Sequence, residues 1–264
     1  MYAYINMVIC MHSFKVDDIV LYNKDRSDLF SIIEINDKCL LQGIKYRIII
    51  EVDIKDIELA SEDIIDKIIL EDEVYKRKII GRESRDENKY LLGKILHSDG
   101  DCKYLDKCLK FYEEVGVYVY GVKISESNIY KEIKKYIDIV NPDIIVITGH
   151  DYYNNKNIKD LDNYKNTENF IKAVKEIRKE NQTCCVIAGA CQSNFEALIA
   201  SGADFASSPG RKNIHVYDPA IIAIKVATTS FRQIVDMNNI YKYIENGRKA
   251  FGGLQTNGKM RLIV

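Results

Sequence analysis

Two reactive side chains each follow a continuous run of apolar residues that has a glycine at or near its end. His150 comes after the run 143–149, and Cys191 comes after the run 184–190. A thiol is a nucleophile and an imidazole is a general base, and a thiol hydrolase needs both, one on each side of the carbonyl group that it attacks. Whether this chain has such chemistry therefore depends on whether the fold brings His150 and Cys191 together.

The two runs are predicted to be neighbouring parallel strands. Long β-branched runs without polar alternation are typical of strands that are buried on both faces. Between them, residues 168–180 carry apolar side chains on one helical stripe. A strand, a helix and a strand form a βαβ unit, in which the strands are parallel and their carboxyl ends lie at one edge of the sheet. Ligands bind at that edge in open parallel sheets, so we expect His150 and Cys191 to face each other there.

Cys191 is the candidate nucleophile. Ser193 and Glu196 have the spacing of a capping box, which predicts that a helix begins directly after the cysteine. Amides at a helix N-terminus lower the pKa of a nearby thiol and stabilise an oxyanion. A buried cysteine with only a packing role is the alternative, because burial is the usual fate of this residue type.

His215 is the alternative general base. It follows Cys191 in the chain, and this order is that of class I glutamine amidotransferases and α/β-hydrolase-like enzymes. Residues 189–193, however, lack the second glycine of a nucleophile elbow.

Metal chemistry has little support in the sequence. His97 ends a predicted strand next to Asp99 and Asp101, and His150 is a further possible ligand. No ligand spacing typical of a metal site accompanies these residues, and the chain has no Cys-x-x-Cys pair. We therefore predict no metal and no organic cofactor.

Composition argues against two classes of partner. The 264 residues carry a formal net charge of −1, and because the charges are interspersed, neither nucleic acid nor a membrane is predicted as a partner. Seven cysteines without paired spacing favour a reducing compartment. Residues 1–11 are apolar but too short to span a bilayer, so we interpret them either as a first strand or as leader sequence before a later start codon.

The chain divides into three regions that differ in their pattern of apolar and charged residues. Residues 1–60 contain four or five closely spaced strands, the last of them predicted at 46–52. This pattern predicts a small antiparallel barrel of SH3-like or Tudor-like type, either a recruitment module or a packing domain. Residues 61–89 are charged and predicted to be a partly helical linker. Residues 90–264 alternate strands and helices, which predicts a three-layer α/β domain with five or six mostly parallel strands. Within this domain, residues 91–97 are predicted to be its first strand and residues 260–264 an edge strand. Residues 221–227 are apolar on all sides and are predicted to be buried. The predicted fold class is therefore α/β, preceded by a small β-barrel.

The motifs of the chain resemble two groups of peptidases, one nested in the other. Apolar strands that end in a base histidine and in Ala-Cys are similar to the caspase, legumain and clostripain group of cysteine peptidases, although that group has His-Gly where this chain has Gly149-His150-Asp151. A longer series of ordered blocks resembles the YabG family of sporulation-specific proteases. The blocks span residues 14–20, 93–101, 119–121, 142–151, 189–193, 202–209, 213–215 and 252–256.

The resemblance implies a caspase-like cysteine endopeptidase that is active late in sporulation. It would act on the mother-cell side of the developing spore, in the cytoplasm and in association with the spore coat, and cleave spore-coat and germination-related proteins after arginine. Cys191 is carried over as the nucleophile and His150 as the base. The oxyanion hole would combine the backbone amides of Cys191 and Asp151.

Arginine preference requires carboxylates in the S1 pocket, which receives the side chain before the cleaved bond. Four aspartates at predicted strand ends are candidates for this pocket, in the order Asp204, Asp101, Asp99 and Asp218. Two carboxylates on one guanidinium would form charge-assisted, bidentate contacts. A role in a turn or a helix cap is the alternative for each of them.

Two other functions stay open at the level of the sequence. One is an amidotransferase-like thiol hydrolase that uses Cys191 with His215. The other is a non-catalytic adaptor in coat assembly, whose barrel binds partners while the α/β domain only packs. The two enzymes differ in the histidine that they require, and the adaptor would keep its function without Cys191.

Overall fold

A computed structural model describes residues 14–80 and 89–263. The chain forms two compact units, one from residues up to 44 together with 49–65, and the other from residues 45–48 together with 66 onwards. Residues 1–11, interpreted above as strand or leader, lie outside the described residues. No helix within the described ranges is both long and apolar enough to cross a membrane.

The smaller unit is an antiparallel sheet of five strands. Its core includes Val20, Phe30 and Leu41, which are almost completely buried. The order in the sheet is β4-β3-β2-β1-β5. The run of short strands agrees with the prediction, whereas the SH3-like type of barrel stays a prediction. The strands are β1 (Ile19–Tyr22), β2 (Asp25–Ile35), β3 (Cys39–Gly43), β4 (Ile49–Val52) and β5 (Ile57–Leu59).

One long helix, α1 (Glu62–Ile80), follows the sheet. This helix lies within residues 61–89, the segment predicted to be a partly helical linker. The remainder of the predicted linker, residues 81–88, lies outside the described residues.

The larger unit is built on a six-stranded sheet with the order β12-β11-β10-β9-β7-β8. Five of its strands are parallel, and β12 pairs antiparallel to β11. A separate ribbon pairs β6 with β13. The strands of the unit are β6 (Tyr90–Leu91), β7 (Ile95–Asp99), β8 (Val119–Lys123), β9 (Ile144–Thr148), β10 (Cys185–Ala188), β11 (Phe205–Ser207), β12 (Phe251–Gly253) and β13 (Arg261–Leu262).

Helices cover both faces of this sheet. Alternate residues of β9 point to opposite faces, so that Val146 packs in one hydrophobic cluster and Ile145 in the other. The first cluster includes residues of α2 and α6, and the second includes residues of α3 and α4. The helices are α2 (Cys102–Val115), α3 (Ile129–Val140), α4 (Thr167–Glu180), α5 (Phe195–Ala200), α6 (Asp218–Thr228) and α7 (Met237–Ile240). The predicted α/β fold with a mostly parallel sheet is confirmed.

The apolar segment around Ile222 forms the central helix of its layer. In α6 every residue except Lys225 is buried, because a helix that is hydrophobic on all sides has no face suited to water. The prediction that this segment is buried is confirmed.

The edge of the sheet differs from the prediction. Residues 260–264 were expected to form the edge strand, but β12 takes this position. A Cβ atom on Gly253 would lie 2.3 Å from the ring of Phe205, so only glycine permits such close pairing with β11. The last strand, β13, pairs instead with β6, and the predicted strand 91–97 is correspondingly divided into β6 and β7.

Truncation of Ile222 to alanine should lower the free energy of unfolding by about 2–5 kcal/mol, because it leaves a cavity in the fully buried helix. The matched control is Ile139→Ala, since Ile139 is 59% exposed on α3. Urea denaturation of the two full-length variants measures the difference. Equal losses of stability would contradict the packing described for α6.

Candidate active site

The register of β9 and β10 positions the two reactive residues. Ile147 pairs with Ala188 in the parallel ladder, and the amide of Gly189 donates to the carbonyl of Ile147 at 3.0 Å. His150 and Cys191 lie three residues beyond these paired positions on strands that are about 4.8 Å apart. The structure therefore brings both residues to the carboxyl edge of the sheet.

A buried carboxylate, that of Asp151, joins the two loops that follow these strands. Its Oδ2 accepts hydrogen bonds from the hydroxyls of Ser193, at 2.8 Å, and Thr167, at 2.5 Å. The same Ser193 oxygen accepts from the amide of Ala190 at 3.0 Å. Burial raises the pKa of Asp151, and these hydrogen bonds offset part of that rise. Asp151, predicted to supply an oxyanion-hole amide, thus also fixes the backbone next to Cys191.

The helix after Cys191 begins later than predicted. It starts at Phe195 and is capped by Asn194, whose side chain accepts from the amide of Ala197 at 3.1 Å. Ser193 was the predicted cap, but its hydroxyl is engaged by Asp151 and Ala190 instead. The expectation that a helix N-terminus directly follows the thiol is therefore wrong.

Cys191 is only 1% exposed. Its sulfur accepts a hydrogen bond from the amide of Ile214 at 3.3 Å. Burial raises the pKa of the Cys191 thiol to about 12, although the amide of Ile214 and the Arg47 guanidinium oppose that rise. In this conformation the sulfur is a protonated thiol, contrary to the lowered pKa that the sequence suggested.

Glu126 holds the imidazole of His150. Its Oε1 accepts from the His150 amide at 2.7 Å and lies 3.3 Å from Nδ1. Burial alone would raise the pKa of Glu126, but the interactions with His150 outweigh it and lower that pKa. A Cβ atom on Gly100 or Gly149 would lie 2.2 or 2.4 Å from the same oxygen. Glycines at the ends of β7 and β9 thus make room for a carboxylate that was not predicted from the sequence.

The other side of the imidazole faces α2. Nε2 of His150 lies 3.9 Å from Oδ2 of Asp101, and the ring lies 5.6 Å from that of Tyr104. A proton on Nδ1 satisfies the Glu126 carboxylate and leaves the lone pair of the neutral imidazole on Nε2. This is the tautomer that a general base requires when Nε2 takes the proton.

Two of the four predicted S1 aspartates lie at this edge of the sheet. Asp99 is fully buried at the end of β7 and binds the Arg47 guanidinium at 2.5 Å. Burial raises the pKa of Asp99, and the Arg47 cation counteracts it. Asp101 caps α2 by accepting from the amides of Lys103 and Tyr104, and it also lies near His150.

Asp204, the first of the S1 candidates, lies at the opposite edge. It directly precedes β11, and its carboxylate binds Arg178 at 2.6 Å and the amide of Val186 at 2.7 Å. Because β11 runs parallel to β10, the residue before it belongs to the amino edge of the sheet, away from Cys191. This placement does not support an S1 role for Asp204.

Asp218 and His215 form a cluster with Tyr75 and Asp72. The carboxylate of Asp218 accepts from the Tyr75 hydroxyl and the His215 amide, both at 2.9 Å, and burial raises its pKa to about 6. Nε2 of His215 lies 3.4 Å from Asp72, and Nδ1 lies 3.3 Å from the amide of Tyr217. The two ring nitrogens of the alternative base are therefore directed at Asp72 and Tyr217.

The surroundings of His97 do not resemble a metal site. It is fully buried, with Nδ1 3.0 Å from the Tyr112 hydroxyl, and burial lowers its pKa well below the usual value. Within residues 14–80 and 89–263, no group of three or more His, Cys, Asp or Glu side chains is arranged to hold a metal ion.

The fold and the site define an α/β protein with a thiol and a carboxylate-held imidazole at the ends of neighbouring parallel strands. The sequence profile of the family described as YabG peptidase U57 matches residues 15–264, and the chain belongs to this family.

One relative is the sporulation-specific protease YabG of Bacillus subtilis (strain 168). It is 40% identical over 178 residues, which are 66% of this chain and 61% of the relative. The chain thus matches less than two thirds of that relative's length. A solved structure, that of a novel cobalamin-binding protein from Desulfitobacterium hafniense DCB-2, is 18% identical and matches with a TM-score of 0.32 over 50% of this chain and 57% of that one. A score this low does not establish a shared fold.

Ser193→Ala should lower the free energy of unfolding by about 1–3 kcal/mol, because the buried Asp151 carboxylate and the Ala190 amide each lose a partner. Ser201→Ala is the matched control, since the Ser201 hydroxyl bonds the carbonyl of Leu198, a local partner three residues earlier. Chemical denaturation compares the two variants. A Ser193→Ala protein as stable as Ser201→Ala would show that Asp151 does not join the two loops through this hydroxyl.

Proposed function

We propose that this chain is a sporulation-specific cysteine endopeptidase that cleaves proteins after arginine. The observation that carries the proposal is the convergence of Cys191 and a Glu126-held His150 at one edge of the sheet. Membership of a peptidase family supports the reaction class. By analogy with the relative's name, the proposed setting is the sporulating cell. The proposed substrates, spore-coat and germination-related proteins, come from the resemblance described in the sequence analysis.

The proposed acylation step uses Cys191 and His150. His150 accepts the thiol proton as the sulfur attacks the carbonyl carbon of the arginyl residue, so that a C–S bond forms and the carbonyl oxygen becomes an oxyanion. The amides of Cys191 and Asp151 are the proposed donors to that oxygen. The imidazolium then protonates the leaving amine, the C–N bond breaks, and a thioester remains.

Deacylation reverses the roles of the same groups. His150 takes a proton from water, and the resulting hydroxide attacks the thioester carbonyl. The C–S bond breaks, the acid leaves, and the imidazolium returns its proton to the sulfur of Cys191. No group outside the protein and water is needed for either step.

Glu126 is the proposed positioning residue for His150. Its carboxylate orients the ring through Nδ1 and stabilises the imidazolium that forms when Nε2 takes the thiol proton. This stabilisation matters because burial raises the pKa of the resting thiol, so that an imidazolium held in place favours the transfer of its proton.

Asp99 and Asp101 are the proposed carboxylates of the S1 pocket. Both lie at the edge that carries Cys191, and Asp99 already binds a guanidinium, that of Arg47, at 2.5 Å. A buried carboxylate selects arginine over neutral side chains because leaving it unpaired is strongly unfavourable. A caspase-like peptidase domain and an SH3-like barrel complete the proposal.

Cys191→Ser and His150→Ala should each lower kcat/KM on an arginine-containing protein by at least about 10³-fold, because nucleophile and base act as a unit. Cys102→Ala should retain activity, since Cys102 is an exposed cysteine on α2. Cleavage is followed by mass spectrometry, which also maps the bonds that are cut.

Two results would contradict this assignment. Activity that survives Cys191→Ser would exclude the thiol mechanism and favour the coat-assembly adaptor. Loss of activity in His215→Gln but not in His150→Ala would favour the amidotransferase-like hydrolase.

Glu126→Gln should lower kcat about 10- to 100-fold with little change in KM, because the amide keeps the size of the side chain but not the charge that stabilises the imidazolium. Glu132→Gln, an exposed position on α3, is the matched control. Since the pKa of Glu126 is lowered from the usual 4.5, the stability that its charge contributes should be present above pH 4.5 and disappear as the pH falls further. Equal kcat values in the two variants would exclude the positioning role.

A further inference from the structure

Residues 45–48, here called the internal segment, bind the rest of the larger unit as a short strand. The amide of Arg47 donates to the carbonyl of Ile214 at 3.3 Å, and the amide of Val216 donates to the carbonyl of Lys45 at 3.0 Å. Tyr46 lies opposite His215 in an antiparallel bridge. An extended peptide that binds along a strand edge makes this pattern of backbone contacts.

The Arg47 side chain fills a pocket made for a guanidinium. It is the largest of the fully buried side chains. One nitrogen binds Asp99 at 2.5 Å, two bind the carbonyl of Val216 at 3.1 and 3.3 Å, and one lies 3.4 Å from the sulfur of Cys108. The ring of Tyr104 lies 5.2 Å away beneath the cation. Arginine is rarely buried so completely unless every donor has a partner.

This pocket lies next to both proposed catalytic residues. Ile214, which accepts the Arg47 amide, donates its own amide to the Cys191 sulfur at 3.3 Å. The Tyr104 ring lies close to both side chains, 5.2 Å from the Arg47 cation and 5.6 Å from the His150 imidazole. The backbone of Arg47 is therefore bound to the same residue, Ile214, that contacts the Cys191 sulfur.

The neighbouring residues of the internal segment are bound as well. The carbonyl of Tyr46 accepts from the Tyr104 hydroxyl at 3.1 Å. The Tyr46 hydroxyl binds Glu245 at 2.7 Å, and the Lys45 ammonium binds the same carboxylate at 2.9 Å. Side chains and backbone thus both contribute, as they do in a peptide ligand.

We infer that the internal segment occupies the substrate cleft as an internal ligand, with Arg47 in the S1 pocket. The pocket consists of Asp99, the Val216 carbonyl and Tyr104, and the edge 214–216 binds the substrate backbone. An arginyl peptide enters when the segment withdraws. This inference rests on the proposed function and assigns Asp99 as the residue that selects arginine.

The energetics of the buried Arg47–Asp99 pair favour the interpretation of Arg47 as a bound ligand over a purely structural role for the pair. A buried ion pair adds little net stability compared with apolar residues of similar size, because desolvation offsets the attraction. In general, apolar residues of similar volume often replace a buried ion pair without loss of stability, but only a carboxylate pocket serves an incoming arginine after Arg47 has left. The same occupancy contributes to the burial of Cys191, because the backbone and the guanidinium of Arg47 lie close enough to act on its sulfur.

The first test follows alkylation of each cysteine by iodoacetamide in the full-length wild type and in Arg47→Ala. An internal ligand that closes the cleft nine-tenths of the time reduces access about tenfold, so Arg47→Ala should alkylate Cys191 about tenfold faster. Arg26→Ala is the matched control, because Arg26 is exposed and pairs with Glu58. Cys185, 1% exposed in the same core, should stay protected and thereby show that the variant remains folded.

The second test adds the peptide acetyl-Lys-Tyr-Arg-amide, which copies residues 45–47. It should protect Cys191 from alkylation in Arg47→Ala, whereas the same peptide with neutral citrulline instead of arginine should not. Absence of protection by the arginyl peptide, or alkylation of Cys185 in parallel with Cys191, would overturn the inference and make Arg47 a structural residue of the core.

The two proposals fail in different ways. Protection by the peptide requires binding but no catalysis, so protection without peptidase activity would retain the internal ligand and refute the proposed function. Peptidase activity without protection would retain the function and refute the internal ligand.

Discussion

The parallel register of β9 and β10 is the constraint on which the site depends. Ile147 pairs with Ala188, and this pairing brings the loops with His150 and Cys191 to the same height at the sheet edge. A slip of one residue would turn every side chain of one strand to the opposite face. It would bury the wrong residues in both core clusters and separate Asp151 from Ser193. The core packing that fixes the fold therefore also fixes the geometry of the reactive groups.

Charged groups collect at this edge although most of it is buried. Glu126, Asp101 and the Arg47–Asp99 pair surround the imidazole and the thiol, and in a poorly solvated region their fields act over short distances with little screening. Such a site needs a partner for every charge. Backbone amides and Arg47 are these partners, and the glycines at the strand ends leave room for the Glu126 carboxylate. The cost of burying these groups is the physical reason that the resting thiol stays protonated.

The sequence predicted the elements of the fold better than the contacts of the site. The periodicity of apolar residues identifies strands such as β9 and helices such as α6, because the packing of apolar side chains in the core determines where strands and helices form. It does not identify partners across loops, and Glu126 lies in the loop after β8 with no periodic signal. Arg47 lies within the predicted strand 46–52. The available sequence signal for its role was that a charged residue interrupts an apolar run.

Two further differences between the prediction and the structure come from strand direction and from competition between hydrogen-bond partners. Asp204 was assigned to the reactive edge because it flanks a strand, but it precedes β11 rather than following it, and strand direction decides the edge. Ser193 has the spacing of a cap, yet its hydroxyl bonds the Asp151 carboxylate, which lies far away in the sequence. A local sequence motif does not reveal hydrogen-bond partners that are distant in the sequence.

The most direct test of the central claim is covalent trapping with a peptide whose C-terminal arginine carries an acyloxymethyl ketone. The attacking thiolate displaces the carboxylate leaving group and forms a stable thioether, and mass spectrometry locates the modified residue. A peptidase that uses Cys191 and His150 should give one adduct, on Cys191, that forms in wild type and not in His150→Ala. An adduct on a different cysteine, or equal labelling with and without His150, would contradict this mechanism.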